Sequence, residues 1–365
     1  MNEAYTELSS VAQTAYAQLF ESAQARHMLR PAGDLNGSFA KKDVKGTSYW
    51  YFQYRDIDGK VRQIYVGPDN ERVQQLIKKR ATPSMAPIDR LAASAVALGC
   101  APVLPKHFRI IRRLAEYGFF KAGGVLIGTH AFIAMGNMLG VHWADGARTQ
   151  DVDFAHAGKS ISIALPSDIR IDVHKAIDSL EMGFLPIHSF NGSSGASYLN
   201  PDEPELKIDF LTPLTRAGDK PFDFKDLNIA LQPLKFMEFS LEETTQGAIF
   251  SRESALLVNL PSPIRYGLHK LIVYGEREGA YRTKSLKDIM QSNAILSYYA
   301  RHMPEALSRN LDDLLSRGPG WRKRAEHGIK AVLRLNPGLE TVLLRPSAQR
   351  GARNTKTRNT SRPPG

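Results

Sequence analysis

The 365-residue sequence contains a single cysteine, Cys100, and this scarcity excludes two classes of protein. One thiol cannot form a disulfide within the chain, and it cannot build a cysteine-cluster metal site. Such cysteine usage is typical of a reducing compartment. The first ten residues also lack the basic and apolar segments of a secretory signal, so we expect a cytoplasmic protein.

Long apolar runs and several familiar catalytic motifs are absent as well. No apolar run approaches the length that spans a bilayer, so no membrane association is expected. The ten histidines show no His-Glu-x-x-His spacing, and neither Gly-x-Gly-x-x-Gly nor Gly-x-Ser-x-Gly occurs. The sequence therefore predicts no metalloprotease, dinucleotide-binding or serine-hydrolase site.

The charge of the chain is unbalanced towards the basic side, with a formal net charge of +11. Such a balance favours a polyanionic partner, although many basic proteins bind none. The last 21 residues, 345–365, contain no acidic residue and no apolar periodicity, and "WRKR" at 321–324 adds a second basic cluster. We expect a disordered basic tail that contacts a nucleic acid, with RNA as the preferred acceptor.

The first 88 residues predict a small α/β domain. Residues 2–29 have helical spacing, and 46–68 alternate around an Asp58-Gly59 turn, which is typical of a β-hairpin. A helix capped by Asn70 follows, and "TPSMAP" at 82–87 is typical of a linker. The aromatic strand from Tyr49 to Tyr54 can stack bases, but burial against a helix is the more frequent fate of such a strand.

The remaining chain predicts a mixed α/β core at 89–260, a helical domain at 261–340 and a tail at 341–365. In the core, the sequence predicts strands at 151–155, 160–165 and 206–214, and a helix that begins at a Ser167 cap. The segment 190–205 is rich in loop-forming residues. From Pro263 the periodicity predicts four helices, at about 263–278, 284–302, 304–316 and 320–334.

Two aspartates in "TQDVDFA" carry the clearest chemical signal. Residues two apart on a strand share a face, so Asp151 and Asp153 project together while Val152 and Phe154 point into the core. Two neighbouring carboxylates repel unless a cation lies between them, and Mg²⁺ takes such oxygen ligands together with substrate phosphates. Asp209 in "LKIDFLT" lies on another apolar strand, so it can complete a two-metal site.

A turn at Gly128-Thr129 precedes these aspartates, between an apolar strand and a helix. Glycine allows the backbone to approach a ligand closely, and the free N–H groups at a helix start bind anions. Thr129 adds a hydroxyl group. This order of elements favours a site for a triphosphate and a metal ion.

The segments "LIGTHAF", "TQDVDFA" and "LKIDFLT" resemble the polymerase-β-type nucleotidyltransferase superfamily. Within it, the chain resembles a bacterial nucleotidyltransferase family through "GSF…KGTSYWYFQ", "QPLKFMEF" and "SPIRYGLHKLIVYGER", and it is distantly similar to abortive-infection nucleotidyltransferase toxins. The resemblance covers about residues 30–300. It implies a polymerase-β-like core with a small N-terminal α/β domain and a C-terminal helical domain.

The resemblance also implies a mechanism. Asp151, Asp153 and Asp209 hold Mg²⁺ or Mn²⁺, and Asp209 helps to deprotonate the acceptor hydroxyl. Gly128 and Thr129 bind the β- and γ-phosphates of an NTP. Three cations of the helical segment contact the triphosphate: Lys270, Arg277, which lies seven residues further on the same helical face, and Lys284.

The sequence thus predicts an enzyme that moves a nucleoside monophosphate from an NTP to a hydroxyl of RNA, such as a tRNA end, or of a protein. Two alternatives stay open. The chain can be a catalytically inactive nucleotidyltransferase fold that binds nucleic acid, or a toxin–antitoxin component that modifies a partner protein. The NTP, the acceptor and the oligomeric state are not determined by these patterns.

Overall fold

The computed structural model describes residues 3–29, 37–44, 46–55, 61–81, 88–157, 171–188, 194–215, 218–276 and 282–344. The strands are β1 Tyr5–Glu7, β2 Gly37–Val44, β3 Thr47–Arg55, β4 Val61–Pro68, β5 Val125–Leu126, β6 Val141–Trp143, β7 Asp151–Ala155, β8 Leu185–His188, β9 Ser194–Leu199, β10 Lys207–Pro213, β11 Phe222–Phe224, β12 Ile229–Leu234, β13 Thr244–Phe250 and β14 Ala255–Pro261. The helices are α1 Ser10–Leu29, α2 Glu71–Ala81, α3 Ile88–Ala97, α4 Pro105–Glu116, α5 Gly128–Leu139, α6 Val173–Asp178, α7 Met237–Leu241, α8 Pro263–Glu276, α9 Arg282–His302, α10 Pro304–Ser316, α11 Pro319–Leu335 and α12 Glu340–Leu343.

The chain divides into two compact units. The helical unit contains the described residues from 263 onward together with 3–5 and 144–146. The sheet unit contains the described residues of 6–143 and 147–262. The fold is therefore mixed α/β, as predicted. In the described part of the chain, no helix combines the length and apolar character needed to cross a membrane.

The sheet unit is built around β10. On one side β10 pairs in parallel with β7. On its other side, the first half of β10 pairs antiparallel with β9 and the second half pairs in parallel with β12. Strands β5, β8 and β11 extend this sheet through antiparallel pairs with β7, β9 and β12.

Aromatic side chains form the core beneath β7 and β10. Phe154 and Phe210 are paired in register, and their fully buried rings stack with centroids 5.4 Å apart. Phe119 packs edge-on against both rings. Burying a phenylalanine side chain contributes about 1.5–3 kcal/mol, so this cluster fixes which face of each strand points inward.

The N-terminal part of the sheet unit contains the antiparallel sheet β2–β3–β4. Strands β3 and β4 form the predicted hairpin, and the predicted Asn70 cap is confirmed, because its Oδ1 accepts from the Val73 N–H at 2.9 Å. The Asp58-Gly59 turn, the 82–87 linker, the 160–165 strand and the basic tail lie outside the described residues.

Three local predictions were wrong. Residues 5–7 form a strand, and α1 begins only at Ser10, where the Ser9 hydroxyl accepts from the Ala12 N–H. The helix expected from Ser167 begins at Val173, because Asp172 is extended and its carboxylate accepts from the Lys175 N–H at 2.8 Å. Within the expected loop at 190–205, β9 is a strand, since β8 and β10 supply its backbone partners. The four helices predicted from Pro263 are confirmed as α8 to α11.

Candidate active site on strands β7 and β10

Strand β7 presents two carboxylates on one face. Asp151 and Asp153 are half-buried, whereas Val152 and Phe154 are fully buried on the opposite face. The alternation arises because successive side chains of a strand point to opposite sides. The predicted same-face arrangement of the two aspartates is confirmed.

Strand β10 adds the third carboxylate. The parallel register places Asp209 opposite Asp153, and it places Lys207 opposite Asp151. Neighbouring strands lie about 4.8 Å apart, and Asp209 alternates with the buried Ile208 and Phe210. Three aspartates and one lysine therefore share a single face of two adjacent strands.

Lys207 and Ser197 both contact Asp209. The Lys207 Nζ lies 2.8 Å from Asp209 Oδ1, and the Ser197 hydroxyl of β9 donates to the same oxygen. Neither residue is among those predicted from the sequence. The alternation in "LKIDF" is the signal that places Lys207 on the face of Asp209, whereas the position of Ser197 depends on strand pairing. In this structure the lysine offsets part of the negative charge of the carboxylates.

The turn at Gly128 touches Asp153. Strand β5 pairs with β7, and the Ile127 N–H donates to the Asp153 carbonyl oxygen at 3.0 Å. Helix α5 then begins at Gly128, whose φ is +63°. A Cβ at this position would lie 2.9 Å from Cγ of Asp153, and nearer still to its Oδ2. A side chain at this position would have to displace the carboxylate, so the start of α5 lies directly against Asp153.

The next residues of α5 point into the protein. Thr129 is 3% exposed and His130 is 1% exposed. The His130 Nε2 lies 2.9 Å from Nδ1 of the equally buried His107 on α4. Burial, with a smaller contribution from Lys106, lowers the pKa of His107 to about 4. His107 is therefore neutral at pH 7. Because the Thr129 and His130 side chains are buried, it is the backbone at Gly128 that lies against the Asp153 carboxylate.

The three predicted triphosphate-binding cations belong to the C-terminal part of the chain. Lys270 on α8 forms an ion pair with Asp288, with Nζ 2.8 Å from Oδ1 and exposures of only 15% and 4% for the two side chains. Its ammonium also lies 5.2 Å from the Tyr266 ring centre. Lys284 is exposed on α9, and Arg277 lies outside the described residues. Their role in binding a triphosphate stays a prediction.

The donor chemistry of the β7–β10 face suits a hard cation. Mg²⁺ and Mn²⁺ prefer carboxylate oxygens, and Asp151, Asp153 and Asp209 supply them. Over the described residues, no group of three His, Cys, Asp or Glu side chains is arranged to hold a metal ion. As placed, Asp209 is instead paired with Lys207. The face fits such a metal in ligand type, with Lys207 as a competing cation.

Comparison with known protein families gives two matches. Residues 106–316 match a family described as "Nucleotidyltransferase", which is more than half of the chain. The chain belongs to this nucleotidyltransferase family. Residues 7–75 match a family described as "Domain of unknown function (DUF6788)". The nucleotidyltransferase match runs from α4 to α10, so it includes Gly128 and all three aspartates.

Comparison with individual proteins adds less. No curated protein matches this chain. Among solved structures, it is similar to an antigenic nucleotidyltransferase-like protein from Paracoccidioides brasiliensis, with 14% sequence identity and a TM-score of 0.35. That similarity covers 68% of this chain and 98% of the other.

Proposed function

We propose that the protein is a metal-dependent nucleotidyltransferase that moves a nucleoside monophosphate from an NTP to an acceptor hydroxyl and releases pyrophosphate. The observation that carries the proposal is the register of Asp153 with Asp209, with Gly128 packed against the Asp153 carboxylate. Two adjacent carboxylates beside the start of a helix suit a metal-bound triphosphate. The family match supports the same chemistry.

Asp151, Asp153 and Asp209 would hold Mg²⁺ or Mn²⁺, which when bound neutralises charge on the phosphates. Asp209 would accept the proton of the acceptor hydroxyl as that oxygen attacks the α-phosphorus. The bond between the α-phosphorus and the bridging oxygen breaks, and pyrophosphate leaves. Positioning and charge stabilisation supply most of the rate acceleration in such a transfer.

The turn at Gly128 and Thr129 would bind the β- and γ-phosphates. The Thr129 side chain is buried, so in this proposal the phosphates contact the backbone at the start of α5. Lys270, Arg277 and Lys284 would add positive charge to the triphosphate site. For Lys270 this requires that a phosphate either replace the Asp288 carboxylate as the partner of the ammonium group or share the ammonium group with it.

The acceptor is proposed to be RNA, because the chain carries a net charge of +11. The test is incubation with each α-labelled NTP, Mg²⁺ or Mn²⁺, and either total RNA or a cell lysate. Label in RNA that depends on the divalent cation is the expected result. Label in protein would identify a protein acceptor and favour the partner-modifying alternative, and no label in either would count against transfer.

A second candidate function is nucleic-acid binding by an inactive nucleotidyltransferase fold. The observation that favours it is the Lys207–Asp209 ion pair. The lysine ammonium already pairs with a carboxylate oxygen that a bound metal ion would need. Tight RNA binding without metal-dependent turnover of any NTP would support this function over the first.

A further inference from the structure

Three tyrosines cluster on one face of the β2–β3–β4 sheet. Tyr49 and Tyr51 are two residues apart on β3, and Tyr65 is paired with Tyr51 on β4. The Tyr65 ring centre lies 5.9 Å from that of Tyr49 and 5.6 Å from that of Tyr51. Tyr65 is 55% exposed, and the other two rings are half-buried. We call this surface, with Lys42, Gln53 and Gln63, the tyrosine face.

The tyrosine face is not needed for the core, because the opposite face of the sheet provides the packing. Phe52 is buried there, and Trp50 donates its indole N–H to Asp69 Oδ1 at 2.8 Å. Gly67 approaches α2 so closely that a Cβ would lie 2.8 Å from the Val73 side chain. The tyrosine face is therefore directed towards solvent, and the opposite face of the sheet makes the packing contacts.

Positive charge and amide groups surround the rings. Lys42 is exposed on β2 opposite Tyr49, with its Nζ 5.6 Å from the Tyr51 ring centre. Gln53 and Gln63 are paired in register and lie on the same face. No acidic side chain is described on this face, and the sequence of 37–67 has six basic residues against three acidic ones.

We propose that the tyrosine face binds single-stranded RNA. Every base has a π-face, so bases stack on exposed aromatic rings, and a sheet with two or three such rings is a recurring platform for single-stranded RNA. Lys42 contacts a phosphate. The amides of Gln53 and Gln63 can donate to and accept from 2′-hydroxyl groups, which favours RNA over DNA. The proposal goes beyond the transferase reaction, since binding here requires neither NTP nor metal.

The first test measures fluorescence anisotropy of a labelled twelve-nucleotide oligouridylate with the full chain, without NTP or divalent cations. Tyr65→Ala should weaken binding roughly 5- to 100-fold, the loss expected for one stacked base. Tyr65→Phe keeps the ring, so it should bind within about twofold of the wild type. Phe222→Ala removes an exposed aromatic side chain from another strand and should leave affinity unchanged. Equal affinities of Tyr65→Ala and the wild type would overturn the proposal, as would equal losses in Tyr65→Ala and Tyr65→Phe.

The second test examines the phosphate contact of Lys42 and the preference for ribose over deoxyribose. Lys42→Gln should reduce the slope of log affinity against log salt by about 0.7, the value for one phosphate of a single strand. Lys330→Gln on α11 is the matched exposed control and should keep the slope. An oligodeoxyuridylate of the same length should bind more weakly than the RNA; equal binding would overturn the assignment to RNA. Because no nucleotide is turned over, a failure of the transferase proposal would not alter these results.

Discussion

Replacing Gly128 with alanine is expected to displace the Asp153 carboxylate. Gly128 has φ +63°, a left-handed conformation that costs an L-residue roughly 1–2 kcal/mol. The added Cβ would lie 2.9 Å from Asp153 Cγ, whereas ordinary contacts begin at 3.4 Å, and the nearer Oδ2 must move further still. A shift of the carboxylate by about 1 Å is enough to slow catalysis on the order of a hundredfold.

Gly183→Ala is the matched control for this substitution. Gly183 has φ +74°, but a Cβ there would meet nothing within 4 Å. Both variants carry the backbone strain, and only Gly128→Ala carries the contact with Asp153. In urea titrations both should lose unfolding free energy, and in assays with α-labelled NTP only Gly128→Ala should lose transfer. Equal transfer by the two variants would refute the role of this contact.

Three further substitutions test other parts of the molecule. Lys207→Gln removes the cation 2.8 Å from Asp209, so Mn²⁺ affinity measured by paramagnetic resonance should rise severalfold; an unchanged affinity would count against competition between lysine and metal. Lys270→Met leaves Asp288 buried without its ammonium partner, so the unfolding free energy in urea should fall by about 3–5 kcal/mol, and Lys270→Met with Asp288→Leu should recover most of it. The pKa of His107 is about 4 in the folded chain against 6.5 ordinarily, so the unfolded chain binds the proton first as pH falls. The unfolding free energy should therefore decrease from pH 6.5 towards pH 4, and it should decrease less steeply with pH in His107→Gln. Identical slopes of unfolding free energy against pH would contradict the lowering of the His107 pKa by burial.

The local pattern predicted the side of β7 on which its aspartates lie, but not their neighbours. Alternation within "DVDFA" is a property of the strand itself, so it was readable from the sequence. That Asp209 lies beside Asp153 depends on strand order, because β8, β9 and α6 intervene along the chain. The apolar strand pattern around Asp209 and the family resemblance both predicted it as the third acid, while its register with Asp153 required the structure.

The missed features share a physical cause. Strand β9 has the sequence "SGASYL", whose small residues have little β-propensity, and its strand geometry comes from pairing with β8 and β10. The sequence pattern therefore predicts a loop here and does not place Ser197 in the site. Asp172 and Ser167 are both good capping residues, and the extended backbone at Asp172 decides where α6 begins. Tertiary contacts settle these alternatives, which single-sequence patterns leave open.

The most direct test of the proposed site on the β7–β10 face is the Asp153→Asn variant. The measurement is the transfer of label from an α-labelled NTP. The substitution is nearly isosteric and removes one of two neighbouring like charges, so the unfolding free energy should hold or rise slightly. Transfer should be lost, whereas Asp223→Asn, which changes an exposed carboxylate on β11, should transfer like the wild type. Full transfer by Asp153→Asn would contradict the proposed site.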